Sequence, residues 1–532
     1  MAMSLKWVPF AAGLALAGMA VSAPASAATR LVKNQSAAAG LKLMSQLNVI
    51  VFDYMDASHD VEGKAWIGGD LRGNAWNVGI GNAKQGAVAS NFSTLTVGGR
   101  HSGGTVNVNN GVNGKAGTVG GNGSYGVTFA GDSNGFNLNS GTTGRVKVGG
   151  SVNGKVQLGA GSSLLVGRNI ASDLTLGSGS VARVGGSIGG NTTLASGVAG
   201  RETRLTVGGN TGQINGSDRN VIQVGGNVNG ANLGTGSQLT MSGALTGNFN
   251  LNGDKNTVVR LGRYTGNSNP LNNGQTVYVG NAGTNKTGWF FSQPKPAAPA
   301  PIATADLPNV SAPTAVMLSD LTALSAHLKT LPTNGSNSIV KTAAGPGSTT
   351  YDWLFKTGAA ATSDGYAVFN VTAGQLLGTT GGSVRNIGFD LGGTSAALPI
   401  VVNITGAGAS TWNWNLNALG SAYGSALNQQ IIWNFADATG TLNFNTLVHG
   451  SVLALGATVT NVTPIEGSVV ARIFKQGGEV HLGTYNGNDR IVETVEDNPP
   501  AVPEPASWAT MLIGFGFVGS MIRRRRGTLA TA

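Results

Sequence analysis

The sequence predicts an all-β chain, a β-solenoid (β-helix) with one amphipathic helix along its flank. Three observations predict it: a glycine-marked repeat of near-constant length, apolar positions at fixed offsets inside that repeat, and a composition rich in turn formers but poor in charge. Glycine supplies 85 of 532 residues, about twice its usual ~7% share. Only 11% of residues are Asp, Glu, Lys or Arg, and cysteine is absent. A chain of this size without disulfides needs another source of rigidity, and stacked backbone hydrogen bonding supplies one.

The repeat is clearest from residue 148. Val148-Gly149-Gly150, Val166-Gly167-Arg168, Val184-Gly185-Gly186, Val207-Gly208-Gly209 and Val224-Gly225-Gly226 share one pattern, which drifts through Met241-Ser242-Gly243, Leu261-Gly262-Arg263 and Val279-Gly280. The steps are 18, 18, 23, 17, 17, 20 and 18 residues. A second apolar position follows at Val152, Ile170, Ile188, Val228 and Leu245, and a third at Leu158, Leu176 and Leu194. One coil per repeat, stacked at about 4.8 Å, lines these residues into a continuous core. The valines at 166, 184, 207 and 224 are therefore expected on one internal line. The five-residue excess before Val207 is expected to bulge out with Arg201, Glu202 and Arg204. Ile67-Gly68-Gly69, Val97-Gly98-Gly99 and Val119-Gly120-Gly121 fit the same pattern. A sandwich of hairpins is the competing architecture, but it does not predict so regular a count.

Residues 28–290 are assigned to solenoid repeats and 291–335 to a Pro/Ala-rich linker with a helix. Leu318, Leu321, Leu324, Leu328 and Leu331 recur at steps of three and four, ending at Pro332, with Asp320 and Lys329 off the stripe. That helix is expected to cover part of the solenoid flank. Residues 336–487 form the C-terminal solenoid part, where Gly450-Ser451-Val452 and Gly467-Ser468-Val469 restore a period of 17. A linker, 488–502, follows.

Both ends carry export features. Lys6, the apolar run Trp7 to Val21 and the small residues Ala25 and Ala27 read as a Sec signal peptide over 1–27, cut before Ala28. At the far end, Pro503-Glu504-Pro505 and Trp508 precede an apolar segment, 506–522, closed by Arg523, Arg524, Arg525 and Arg526. The segment is just long enough to cross a bilayer core, and the arginines would hold its end in the cytoplasm. This tail resembles the PEP-CTERM sorting signal over 503–526. The resemblance implies transient anchoring in the inner membrane, cleavage by an exosortase, and delivery to the surface or extracellular matrix of a Gram-negative bacterium.

The body resembles the choice-of-anchor A family over residues 40–487. The matching residues are Asn48-Val49 to Phe52, Asp60-Val61-Glu62-Gly63, Ile67-Gly68-Gly69, the leucine helix, Ile432-Trp433-Asn434-Phe435-Ala436-Asp437-Ala438, the Gly450 and Gly467 pair, and Gly477-Gly478-Glu479-Val480-His481. The resemblance implies an adhesive β-helical domain joined to an anchoring tail.

Little in the sequence suggests a reaction. Loss of Lys6 with the signal peptide and of four arginines with the tail lowers the net charge from +10 to about +5 or +6. No basic stripe with interleaved aromatics supports nucleic-acid binding. Acids in the repeats (Asp132, Asp173, Glu202, Asp218 and Asp254) do not recur in register, so no glycosidase pair is evident. Asp53, Asp56, His59, Asp60 and Glu62 read as a solvated entry turn, with a Ca²⁺ site as the alternative. Glu466, Glu479 and His481 can converge across coils, as structural residues of the closing motif or as a site. Trp412 and Trp414 share one face of a strand. Exposed, they would stack sugar rings; buried, they are core. No catalytic residue, metal or cofactor is assigned. The expectation is a non-catalytic adhesin whose partners are signal peptidase, exosortase, and exopolysaccharide or other surface proteins. A polysaccharide lyase or hydrolase is the main alternative, and ice or crystal binding a further one, disfavoured because Thr94/Thr96, Thr175, Thr206 and Thr240 are irregularly spaced.

Overall fold

The computed structural model describes residues 28–81, 90–109, 125–138, 143–252, 256–266, 275–280, 290–333, 337–358, 365–392, 399–420, 425–487 and 491–497. The signal peptide and the sorting tail, from residue 498 on, lie outside the described residues, as does the fragment around Val119. The chain divides into two units. In one, the strand Ala28–Lys33 pairs antiparallel with Val492–Asp497, Ala28 opposite Asp497. The other, Asn34–Ile491, holds the solenoid.

That solenoid has three parallel strand positions per coil. In the long first sheet, Val148, Val166, Val184, Val207 and Val224 pair in succession, and Val166, Val184, Val207 and Val224 are 0, 1, 0 and 0% exposed. Val97, Phe129 and Val148 extend this line downward, so Phe129-Ala130-Gly131 occupies the coil next to Val97. Bridges through Val152, Ile170, Ile188 and Thr211 make the second position. Leu158, Leu176 and Leu194 stack in the third. The excess before Val207 is a small loop closed by an antiparallel bridge from Val198 to Arg201. Arg204 lies instead in the strand Thr203–Val207, paired with Glu202 at 2.8 Å.

Glycine shapes the corner after the first sheet. A Cβ on Gly167, Gly185, Gly208 or Gly225 would stand 2.1–2.3 Å from the carbonyl oxygen of the corresponding glycine one coil below. Only a residue without a side chain lets the coils close to hydrogen-bonding distance there. The next position carries a ladder of side chains that accept from the backbone of the following coil: Asp132 from Ser151, Asn169 from Ser187, Asn210 from Asn227, and Asn227 from Ala244, at 2.7–2.8 Å.

The chain does not start at an end of the stack. Its first long-sheet strand, Val49–Val51, lies between Ala65–Ile67, which follows it, and Val469–Ala471, from the last coil in sequence. From there the coils climb to Phe290–Ser292. The linker then returns along the glycine corner: Lys295 lies against Gly280, Pro299 against Gly225, Ile302 against Gly185, Leu307 against Gly167 and Val310 against Gly98. The chain restarts at the bottom with Ala367–Thr372 and climbs through Ile400–Thr405, Ile431–Asn434, Ser451–Asn461 and Val469–Gln476 to meet Val49. It enters and leaves this unit at one point, where the Asn34 N–H donates to the Ile491 carbonyl at 3.1 Å.

Two helices, rather than the one expected, flank the stack. Helix α1 (Gln35–Gln46) is capped by the Asn34 side chain, which accepts from the Ala37 N–H at 3.0 Å. Helix α2 (Ser311–Thr330) buries Met317, Leu321, Leu324 and Leu328, while Leu318 is 40% exposed. The apolar stripe thus begins one residue before the predicted Leu318. Both helices pack on the outer face of the lower long sheet, against Ile50, Trp66, Ile432, Leu453 and Val470. Stacked Asn370, Asn403 and Asn434 join amide to amide at 2.8–2.9 Å and donate to the Leu331, Leu328 and Ser325 carbonyls of α2. Of these, the Leu331 carbonyl lies at the C-cap, where a helix end leaves carbonyls without intrahelical partners.

Candidate functional site

The third sheet offers the most regular outward surface. Its strands alternate in, out, in, so each central residue points away from the core. Asn77, Asn107, Asn137, Gln157, Thr175, Thr193, Asn215, Asn232 and Asn250 occupy that position in nine successive coils, in unbroken register. All are uncharged, and parallel strands place them about 4.8 Å apart. The Asn107 amide donates to Asn77, Asn137 to Asn107 and Asn232 to Asn215, at 2.9–3.0 Å. These bonds fix the amides while leaving part of each donor and acceptor set turned outward. The row escaped sequence reading because Asn, Gln and Thr alternate without a motif. Its signal was the single polar residue between two apolar ones, as in Val156-Gln157-Leu158 and Leu174-Thr175-Leu176.

Lower in the same sheet, a different outward row, aligned with Gly79 rather than Asn77, is charged. Register places His449 beside Glu466 and Glu466 beside His481, while a bridge from Val480 to Val61 brings Glu62 next. Glu466 pairs with His449 at 3.4 Å and with His481 at 3.7 Å, and also accepts from Asn428. His481 pairs with Glu479 at 3.0 Å. The hydrogen bond from His449, then that from His481, holds the Glu466 carboxyl at about 2. Glu466 in turn raises His481 to about 9. Glu466, Glu479 and His481 therefore do converge, joined by His449 and Glu62. At neutral pH Glu466 is an anion and His481 a cation, so neither is poised as a general acid or base.

The other sequence-selected residues separate. Asp53 pairs with Arg472 at 3.5 Å and Asp60 accepts from Asn77 at 2.9 Å, away from Glu62, which beside His481 also accepts from the Leu482 N–H at 2.5 Å. Among the described residues no three His, Asp or Glu side chains gather as a metal site. Trp414 is buried against Trp433 and Phe444, with ring centroids 4.9 and 5.6 Å away. Trp412 is half-buried on the same core, its indole N–H donating to the Ala407 carbonyl at 2.9 Å. The two indoles thus pack inward and present no exposed pair of rings. Ala25, Ala27, Pro503, Glu504, Pro505, Trp508 and Arg523–Arg526 lie outside the described residues, and Ala28 opens the first strand. Among the described residues no helix is long and apolar enough to cross a membrane, and the expected span 506–522 is not among them.

Comparison with known families gives two matches. Residues 221–482 match the Putative Ice-binding-like adhesive domain, and residues 501–526 match the PEP-CTERM protein-sorting motif. Over these residues the chain is similar to that adhesive domain and to that sorting motif. The adhesive match takes in the upper coils, the linker, α2 and the lower coils up to the join; the coils from Asn34 to Asn220 lie outside it. The choice-of-anchor A resemblance is consistent with both matches. No curated protein and no solved structure matches the chain. An adhesive-like domain followed by a PEP-CTERM signal marks a surface-sorted, exported protein that is processed at the membrane.

Proposed function

We propose that the chain is a non-catalytic adhesin of the bacterial envelope or extracellular matrix, holding exopolysaccharide or neighbouring surface proteins through the third-sheet face. The observation that carries this reading is the unbroken row from Asn77 to Asn250, one uncharged hydrogen-bonding side chain per coil. Such a row offers many weak, evenly spaced contacts to a polymer, and many copies on one cell multiply them. The Glu466 and His481 protonation states speak against the hydrolase alternative, as does the spread of the remaining acids. Processing follows from the two signals: signal peptidase cuts before Ala28, and exosortase removes the span 506–522 with Arg523–Arg526.

The test is binding of the mature domain to the producer's exopolysaccharide, compared with a Thr175→Lys/Thr193→Lys variant that places two cations in the row. We expect the variant to remain folded and to lose binding. Release of reducing ends or unsaturated sugars, abolished by one Asp or Glu substitution, would replace this reading with an enzyme. The matched family description makes ice the other solid that a flat, uncharged face suits. Thermal hysteresis lost in the same variant would identify that ligand instead.

A further inference from the structure

A recess lies on the outer face of the long sheet, where the helix pair stops covering it. Trp66, Thr96, Thr128 and Lys147 stand in line there, one per coil. They form the floor of a cleft of about 620 Å³, within the usual range of small-ligand sites. One wall is the returning linker through Asn309, and the other is the loop bearing Phe92. That loop is held rigidly. The buried Lys64 ammonium donates to the Ser90 and Phe92 carbonyls at 3.0 and 2.7 Å, and the Ser93 and Thr128 hydroxyls are 3.1 Å apart. Phe92 meets Trp66 edge to face at 5.7 Å.

The polar groups here are of a different kind from those of the third sheet. Arg145 and Lys147, two apart on one strand, both project into the cleft mouth and are exposed. Neither forms an ion pair among the described residues; the linker's Asp306 is engaged by Arg183 instead, at 3.8 Å. Thr96 is only 4% exposed and lines the floor of the cleft. Two cations without ion pairs, threonine side chains on the floor and an apolar wall within one recess suit a ring with a flat hydrophobic side, hydroxyl edges and one negative charge. We propose that this cleft binds a uronic acid residue of an acidic polysaccharide, its carboxylate on Arg145 and Lys147. The site is separate from the third-sheet face and does not depend on it.

The experiment titrates the mature domain with glucuronate, and with glucose and inorganic phosphate as controls, followed by NMR shifts. We expect glucuronate to perturb Thr96 and Phe92, and to bind about tenfold or more tightly than glucose. Arg145→Ala/Lys147→Ala should remove that preference, and Thr96→Val should weaken binding with the fold retained. Thr175→Lys/Thr193→Lys should leave it unchanged, which separates failure here from failure of the adhesive face. Equal affinity for glucose and glucuronate, or binding indifferent to the double variant, would overturn the proposal. Phosphate binding as tightly as glucuronate would also overturn it, leaving a general anion site.

Discussion

Val184 and Gly185 show how single positions hold the repeat. Val184 is buried between Val166 and Val207, while a Cβ on Gly185 would meet the Gly167 carbonyl oxygen at 2.3 Å. Substituting Gly185→Ala therefore drives backbone into backbone, with no flexible side chain to yield. We expect a loss of about 1–3 kcal/mol, in the range of overpacked cores, measured by denaturant unfolding, with damage confined to adjacent coils. An alanine tolerated at full stability would mean that the coils are not closed as described. These positions were legible in the sequence because the same glycine must recur wherever coils touch. Trp412 and Trp414 were only half legible: spacing placed them on one face, but which face the coil turns inward depends on Trp433 and Phe444 from the following coils. The outward Asn, Gln and Thr row left no motif, since hydrogen bonding between coils asks only for short polar side chains.

Among elements, the ladder of His449, Glu466, His481 and Glu62 has the most consequence, because it joins strands of the last coils to the turn of the first. His481 rises from 6.5 to about 9 on folding, so its stabilisation is complete below pH 6.5 and lost as pH climbs through about 9. Glu466 falls from 4.5 to about 2, so its share is present above pH 4.5 and lost as pH drops towards 2. Both act fully between pH 4.5 and 6.5. Replacing His481→Gln should cost on the order of 1–2 kcal/mol at pH 5.5, allowing for solvent screening, and much less at about pH 9.5. Thermal melts of both proteins at the two pH values check this, and an equal cost at both would remove the ladder from the stability account. Sequence reading found Glu466, Glu479 and His481 but not His449 or Glu62, which register alone brings to them. It found α2 from its leucines but missed α1, whose short buried side mixes Ala37 and Gly40 with Leu41, Leu43 and Met44. Asn34 as a cap, followed by Ala37, Leu41 and Met44, was the available signal.

At the scale of the whole solenoid unit, the decisive feature is the join between Val49–Val51 and Val469–Ala471, made by residues some 420 positions apart. No local pattern announces such a pairing, which is why the repeat was legible and its closure was not. A chain ending after Ser292 should lose the partner of Val49–Val51 and expose Ile50 and Trp66. We expect it to aggregate or to unfold without a cooperative transition by circular dichroism. Supplying residues 293–497 as a second chain should restore a soluble complex on gel filtration; independent folding of the shorter chain would refute the join. The returning linker has a further consequence. From Lys295 to Val310 it passes the coils from Gly280 down to Gly98, nine steps along the line from Val279 to Val97. Nine steps at about 4.8 Å make about 43 Å, and twelve extended residues at about 3.1 Å with the 3₁₀ turn Thr304–Asp306 at about 2.0 Å per residue also make about 43 Å. The linker is thus cut to the height of the stack like a measuring tape. A variant that gains one 18-residue coil should need one or two more linker residues, so in any lineage of such chains the two lengths should change together.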